Sequence, residues 1–460
     1  GVKRIANTEV RSPAERHVAM SWAQRCLFSL GRSPRVHGSI SSEATENVWL
    51  GYLLSVFPLP RCWRSFIGRY HGPLFILASI SLVSLSACTD PDRIPGISED
   101  EILLGSSVAL GGHASFLGTQ YTHGAMAWFE EVNASGGFHG RKIELITYDD
   151  GYDPPRTVEN TLRLIDKDEV FALFNYVGTP TSVRIIDMVE EARIPAFGFF
   201  TGAEELRAPL KRHMFHVRAS YFAEAEGAIK YFVDNLGLTK VAVFYQDDAF
   251  GKAVLDGVRV ALERRQMEIS ATATYSRGSN DVQSAVDELG ANGAQAVIMA
   301  GTYRPLAKFI KMSHYSSFRP YFHTVSFVGS KAFGKELITR GIDSRSFSRI
   351  IVTQVVPYPF DESLPLVAEY KRLLEKHYPN EEPNYVSLEG FINARVLSKA
   401  LLDAGPDLTR DKLIATIQTM DNVDIGIGKN IVFGNEDHQG LEDIYYSRMS
   451  SDGNFRVFDP

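Results

Sequence analysis

The residues best placed for chemistry are hydroxyls at the ends of apolar runs. Tyr176-Val-Gly-Thr-Pro-Thr-Ser182 joins a buried-strand pattern to a helix start. Gly178 permits a tight turn and Pro180 suits the first helical position. Thr179, Thr181 and Ser182 then stand beside backbone N–H groups that have no helical partner. Such a constellation receives an anion, typically a carboxylate. It serves equally as a plain N-cap, in which Thr179 or Thr181 satisfies the helix and nothing else is bound. A second run, Phe199-Phe-Thr-Gly-Ala-Glu204, ends the same way. There Thr201 and Gly202 offer a hydroxyl and a backbone donor, or form an ordinary turn. Catalytic patterns are missing: the sequence holds no G-x-x-x-x-G-K-[ST], H-E-x-x-H or G-x-S-x-G. Asp149-Asp150 and Asp247-Asp248 lack the spaced loop of a calcium site and read as solvated loop acids. His213 and His216 lie three apart with no third metal ligand in reach of them by sequence.

The elements that must carry these residues alternate. From residue 101 onward, apolar runs such as 102–110, 170–177, 240–245 and 296–300 are separated by amphipathic helical patterns. In the pattern over 119–133, Ala125, Met126, Phe129 and Val132 share a face. Strands apolar throughout, between amphipathic helices, predict parallel sheets covered on both faces. Two such runs occur, about 105–218 and 219–356, each the size of one doubly wound domain. The spacing predicts an α/β fold of two doubly wound parallel-sheet lobes with a ligand cleft between the carboxyl ends of their strands. Residues 101–218 with 357–435 are expected to form the N-terminal lobe, and 219–356 with 436–460 the C-terminal lobe.

Charge separates this body from what precedes it. Residues 1–87 carry 10 Lys and Arg against 4 Asp and Glu, while residues 88–460 carry 38 against 51. An acidic body gives no electrostatic case for nucleic acid. The run Leu74–Ala87 holds no charge and reaches roughly 21 Å as a helix, too short for a hydrocarbon core. Arg61, Arg64 and Arg69 precede it and Leu85-Ser-Ala-Cys88 ends it. This is the order of a lipoprotein signal peptide over 61–87, with Cys88 as the lipidated residue, or else a buried apolar helix with an incidental cysteine. Residues 88–100 read as a tether. Residues 1–60 read as an over-long start or a cytoplasmic extension. The three cysteines, Cys26, Cys62 and Cys88, all fall in or beside the leader and exclude a disulfide-stapled or Cys-rich metal protein.

Taken in order, several segments resemble the type I periplasmic substrate-binding proteins, near the leucine/isoleucine/valine-binding family of ABC transporters. Ala134-Ser-Gly-Gly-Phe-His-Gly-Arg-Lys-Ile-Glu-Leu145 is similar to the family's N-x-x-G-G-x-x-G-R-x-[IL] segment. Tyr148-Asp-Asp-Gly-Tyr-Asp-Pro154 is similar to its D-D-x-x-x-P loop. Gly178-Thr-Pro-Thr181 falls where the family binds a ligand carboxylate, and Pro195–Leu206 resembles the next ligand loop. Asp247-Asp-Ala-Phe-Gly251 and Ala300-Gly-Thr-Tyr303 resemble pieces of the second lobe. The resemblance implies a Venus-flytrap binding protein, not an enzyme, with no cofactor or metal. Its expected location is the periplasm, held to the membrane by lipidated Cys88, with an inner-membrane ABC permease as partner. A ligand-sensing module for a membrane signalling partner and a lipid- or sterol-trafficking protein are the alternatives. The implied ligand set is Tyr176, Gly178, Thr179, Thr181, Thr201 and Gly202 from one lobe, with Phe250, Tyr303 and Ser326 from the other.

One departure bears on the ligand. Amino-acid binders of this family pair the ligand's ammonium with an acid in the second lobe. The corresponding stretch here, Thr324-Val-Ser-Phe-Val-Gly329, has Ser326 at that place. A buried ammonium without a counter-charge costs several kcal/mol, so a plain branched-chain amino acid is not expected. Tyr176, Phe199, Phe200, Phe250, Tyr303 and Phe327 fall at or near strand ends. They favour an aromatic, apolar or carboxylate-bearing ligand.

Overall fold

The computed structural model describes residues 93–460. The stretch 61–87 expected to be a signal peptide, the leader 1–60 and Cys88 lie outside the described residues. In chain order the first half contains β1 (Glu101–Val108), α1 (Ser115–Ala134), β2 (Lys142–Asp149), α2 (Pro154–Asp166) and β3 (Ala172–Phe174). It continues with α3 (Thr179–Ser182), α4 (Ile186–Ala192), β4 (Ala196–Phe197) and β5 (Met214–Phe215). The second series is α5 (Tyr221–Ile229), β6 (Val241–Gln246), α6 (Ala249–Glu263), β7 (Thr272–Tyr275), α7 (Gln283–Asn292) and β8 (Ala296–Ala300). It runs on through α8 (Tyr303–Tyr315), β9 (Tyr321–Thr324), α9 (Ser330–Thr339) and β10 (Ile350–Gln354). The last part holds α10 (Pro365–His377), α11 (Tyr385–Ala404), α12 (Arg410–Gln418), β11 (Val423–Asp424), β12 (Asn430–Ile431), β13 (Tyr445–Met449) and β14 (Phe455–Val457).

These strands form two main sheets, ordered β2-β1-β3-β4-β5 and β14-β13-β10-β9-β8-β6-β7. The first is parallel throughout. The second is parallel from β10 to β7, but β13 and β14 join it antiparallel. That antiparallel edge was not visible as strand in the sequence. β13 reads Tyr-Tyr-Ser-Arg-Met, without an apolar run, and is only partly covered, unlike β6, β8 and β10. Both predicted runs hold, with shorter strands than the apolar stretches suggested. β3 spans Ala172–Phe174 only, because Asn175 at φ 57° interrupts the extended backbone before an isolated parallel bridge between Val177 and Phe200.

Helix α11 lies directly on α1, and two glycines set the distance. A Cβ on Gly124 would stand 1.8 Å from the Ser387 carbonyl oxygen, and one on Gly390 2.1 Å from that of Tyr121. Trp128 donates from Nε1 to Ser398 Oγ at 2.8 Å, and Asn384 donates to Gln120 at 2.7 Å. The second sheet packs its helices through apolar contacts, for example Phe244 stacked on Phe309 at 4.2 Å between centroids. The chain passes between the two sheets three times, after β5, after β10 and before β13.

Candidate functional site

The loops after the strands of the two sheets meet face to face, and the predicted hydroxyls lie there. Thr179 and Thr201 are fully buried, with Oγ1 atoms 2.6 Å apart. Gly178, at φ 103°, lets the chain turn and leaves room for a ring, since a Cβ would stand 2.2 Å from Tyr152 Cε2. Thr181 spends its hydroxyl on the carbonyls of Val177 and Gly178, at 2.5 and 2.9 Å, and so holds the turn from behind. Gly202 accepts the Tyr221 N–H at 2.7 Å, and a Cβ there would lie 2.5 Å from that nitrogen. The neighbouring Ser182 Oγ is buried without a hydrogen-bond partner among the described residues.

The other predicted residues divide. Phe250, at the start of α6, packs on Phe327 and Tyr221 with centroids 4.6 and 5.4 Å away. Phe327 also meets Phe200 at 5.4 Å and Tyr152 at 5.9 Å, so the second lobe's ring is set against two rings of the first. Tyr176 turns instead into the first lobe, its hydroxyl 3.0 Å from Thr161 and its ring beside Phe199. Tyr303 lies at the rim, edge-on to Phe116, in a cavity of about 790 Å³ that also contains Gln120, Lys331 and Glu381. Of the paired acids only Asp149 and Asp247 reach solvent as expected, with side chains 38 % and 58 % exposed. Asp150 is fully buried and accepts from Ser107, Thr157 and the Tyr152 N–H, because it ties β1, α2 and the loop together. Asp248 caps α6 through the N–H groups of Phe250 and Gly251. His213 and His216 take separate partners, Glu190 and the Leu206 carbonyl. Among the described residues no group of three His, Cys, Asp or Glu is arranged to hold a metal ion.

Ser326 has company that the sequence did not disclose. Its N–H and hydroxyl both donate to Glu224, at 2.7 and 2.9 Å, and Thr353 adds a third donor at 2.6 Å. An acid therefore does stand at this place, supplied by the first turns of α5 rather than by the 324–329 stretch. The expectation of an acid-free cleft is corrected. Glu224 is not alone either. Arg218, 1 % exposed and in the first crossing, donates to Ser326 Oγ and lies 3.4 Å from Glu224. Its other terminal nitrogen is 3.6 Å from Glu389 of α11. The guanidinium also rests 5.0 Å from the Phe200 ring centroid. Burial pushes Glu224 up from the usual carboxylate range and Glu389 up to about 7, while Arg218 pulls both down. Tyr152, Tyr221, Arg218, Glu224 and Glu389 are site residues that sequence reasoning did not select. Only Tyr152 had a local signal, a tyrosine just after the Gly151 turn at a strand end.

With this geometry in hand, comparisons with known proteins locate the chain among relatives. A family model described as "Periplasmic binding protein" matches residues 101–454. An "Amino acid binding protein" of Pseudomonas aeruginosa is 26 % identical over 234 residues, 51 % of this chain and 60 % of that protein. A solved structure of a possible leucine/isoleucine/valine-binding protein from Rhodopirellula baltica superposes with a TM-score of 0.73 at 32 % identity, covering 80 % of this chain and 98 % of the other. A substrate-binding periplasmic protein from Ralstonia solanacearum gives 0.72 at 26 % identity, covering 78 % and 100 %. A two-lobed α/β body, a buried hydroxyl pair between the lobes and a family match across almost all of the described residues agree: the chain belongs to the periplasmic binding proteins, which bind substrates rather than turn them over.

Proposed function

We propose that this protein captures a small carboxylate-bearing ligand with an apolar or aromatic body by lobe closure and delivers it to a membrane transporter, an ABC permease, while anchored through lipidated Cys88. Residues 101–218 with 357–435 move as one lobe and 219–356 with 436–460 as the other. The observation that carries the reading is the Thr179–Thr201 hydroxyl pair, 2.6 Å apart and fully buried, beside a wall of Phe200, Phe250 and Phe327 drawn from both lobes. Two hydroxyls that face each other so closely have donors to turn toward an anion when one arrives. The aromatic wall supplies apolar area for the rest of the ligand. Gly178 and Gly202 leave room for the Tyr152 and Tyr221 rings, Ser326 meets Arg218 from the other lobe, and Tyr176, Thr181 and Tyr303 support the site from behind and at the rim. The ligand binds both lobes only when they are closed and so shifts the open–closed population.

The test is a thermal-shift screen against aromatic and aliphatic carboxylates, amino acids, purines and fatty acids. A ligand at 100 times its Kd stabilises by about 2.7 kcal/mol, a shift of several degrees. We expect hits among carboxylates, and Thr201→Val to weaken such a hit about tenfold to a hundredfold, the worth of one buried hydrogen bond to a charged group. Hits confined to purines or other uncharged compounds would refute the carboxylate reading.

A further inference from the structure

Three observations converge on Arg218. Its guanidinium is buried between a carboxylate of α5 and one of α11, 3.4 and 3.6 Å away. It touches both lobes, through Ser326 of the second and Phe200 of the first. Its Nε and Nη1 have no hydrogen-bond partner among the described residues, nor does Glu389 Oε1. The acids thus hold a cation that belongs to the chain itself. Two carboxylates with Ser326 and Thr353 donating to one of them form a place that would suit an ammonium, were it not filled. A second cation brought there meets a charge of its own sign in a buried setting, where repulsion is weakly screened.

We infer that Arg218 is a built-in substitute for a ligand ammonium, so that the cleft selects carboxylates carrying no amino group. The inference deepens the carboxylate reading above and rests on it for the ligand's other end. Arg218 is a specificity-determining residue: its spare Nε–H and Nη1–H favour an oxygen acceptor over an ammonium at the same spot. A 2-oxo acid, a hydroxy acid or a plain carboxylate meets that demand, and the matching α-amino acid does not.

The experiment compares matched pairs by calorimetry: 4-methyl-2-oxopentanoate with leucine, and phenylpyruvate with phenylalanine. The wild-type protein should bind at least one member without the amino group about tenfold tighter or more than its amino acid. Arg218→Ala should narrow or reverse that preference. It should also gain a saturable thermal stabilisation by millimolar methylguanidinium, which refills the vacated place and which the wild type should not show. Tighter binding of an amino acid by the wild type would overturn the inference. So would an Arg218→Ala protein that ignores methylguanidinium, whatever the ligand proves to be. Rescue by methylguanidinium with no oxo acid or amino acid bound would support Arg218 as the internal cation and count against the carboxylate reading alone. If Arg218→Ala does not fold, Arg218→Lys should keep the preference for the acids without an amino group, and its loss would overturn the inference.

Discussion

Tyr152 pays for its position: it is a non-glycine residue at φ 63°, a conformation that costs roughly 1–2 kcal/mol. Asp150 holds its N–H at 2.8 Å, and Gly178 yields space for its ring. Yet its hydroxyl, fully buried at the lobe junction, has no hydrogen-bond partner among the described residues. Tyr152→Phe should therefore leave the melting temperature unchanged or raise it, while weakening ligand affinity. A loss of stability with affinity intact would show that the hydroxyl is structural. Glu389 carries the pH dependence of the same region. Burial pushes its folded pKa up to about 7, against 4.5 for a free glutamate, with Arg218, Glu224, Arg207 and Tyr121 as the groups that face it. The native state keeps a proton that the unfolded chain has released. The contribution is fully present below about pH 4.5 and is lost as pH rises through about 7. Glu389→Gln should flatten denaturation midpoints across that window. At this scale Thr179 and Thr201 were legible, because a hydroxyl at the end of an apolar run is a local signal. The Arg218 cluster was not, because its partner Ser326 is 108 positions away and only folding brings the two together.

Between elements, α1 and α11 lie against each other backbone to backbone. Their backbones come near enough that Gly124 and Gly390 each face a carbonyl oxygen of the other helix. A methyl group has no room there. Gly390→Ala should force the helices apart and cost about 1–3 kcal/mol or more by overpacking, read as a drop in denaturation midpoint. The alternation of apolar strands with amphipathic helices made β1 to β4 and β6 to β9 readable, to within a few residues at their ends, but not the two-residue β5 or β10. β13 and β14 escaped because an edge strand carries polar residues on its open side, and its pairing is fixed by β10 rather than by its own composition.

For the molecule as a whole, closure is supported chiefly from the inside. The rim pair Lys331–Glu382 has partners 34 % and 70 % exposed, and a surface ion pair of that kind contributes about 0–1 kcal/mol. Glu382→Ala should thus change ligand affinity less than about fivefold. Small-angle scattering should show the same ligand-induced compaction as in the wild type. A loss of compaction would move the energetics of closure from the buried interface to the rim. The antiparallel edge formed by β13 and β14 reaches further than its size suggests. These strands are specified after residue 444, yet they complete a sheet begun at residue 241. During synthesis the β10 edge waits for its neighbour until almost the whole body has emerged. Until then the second sheet is left with an unpaired β10 edge, and a chain cut before residue 445 would keep that edge open to another strand.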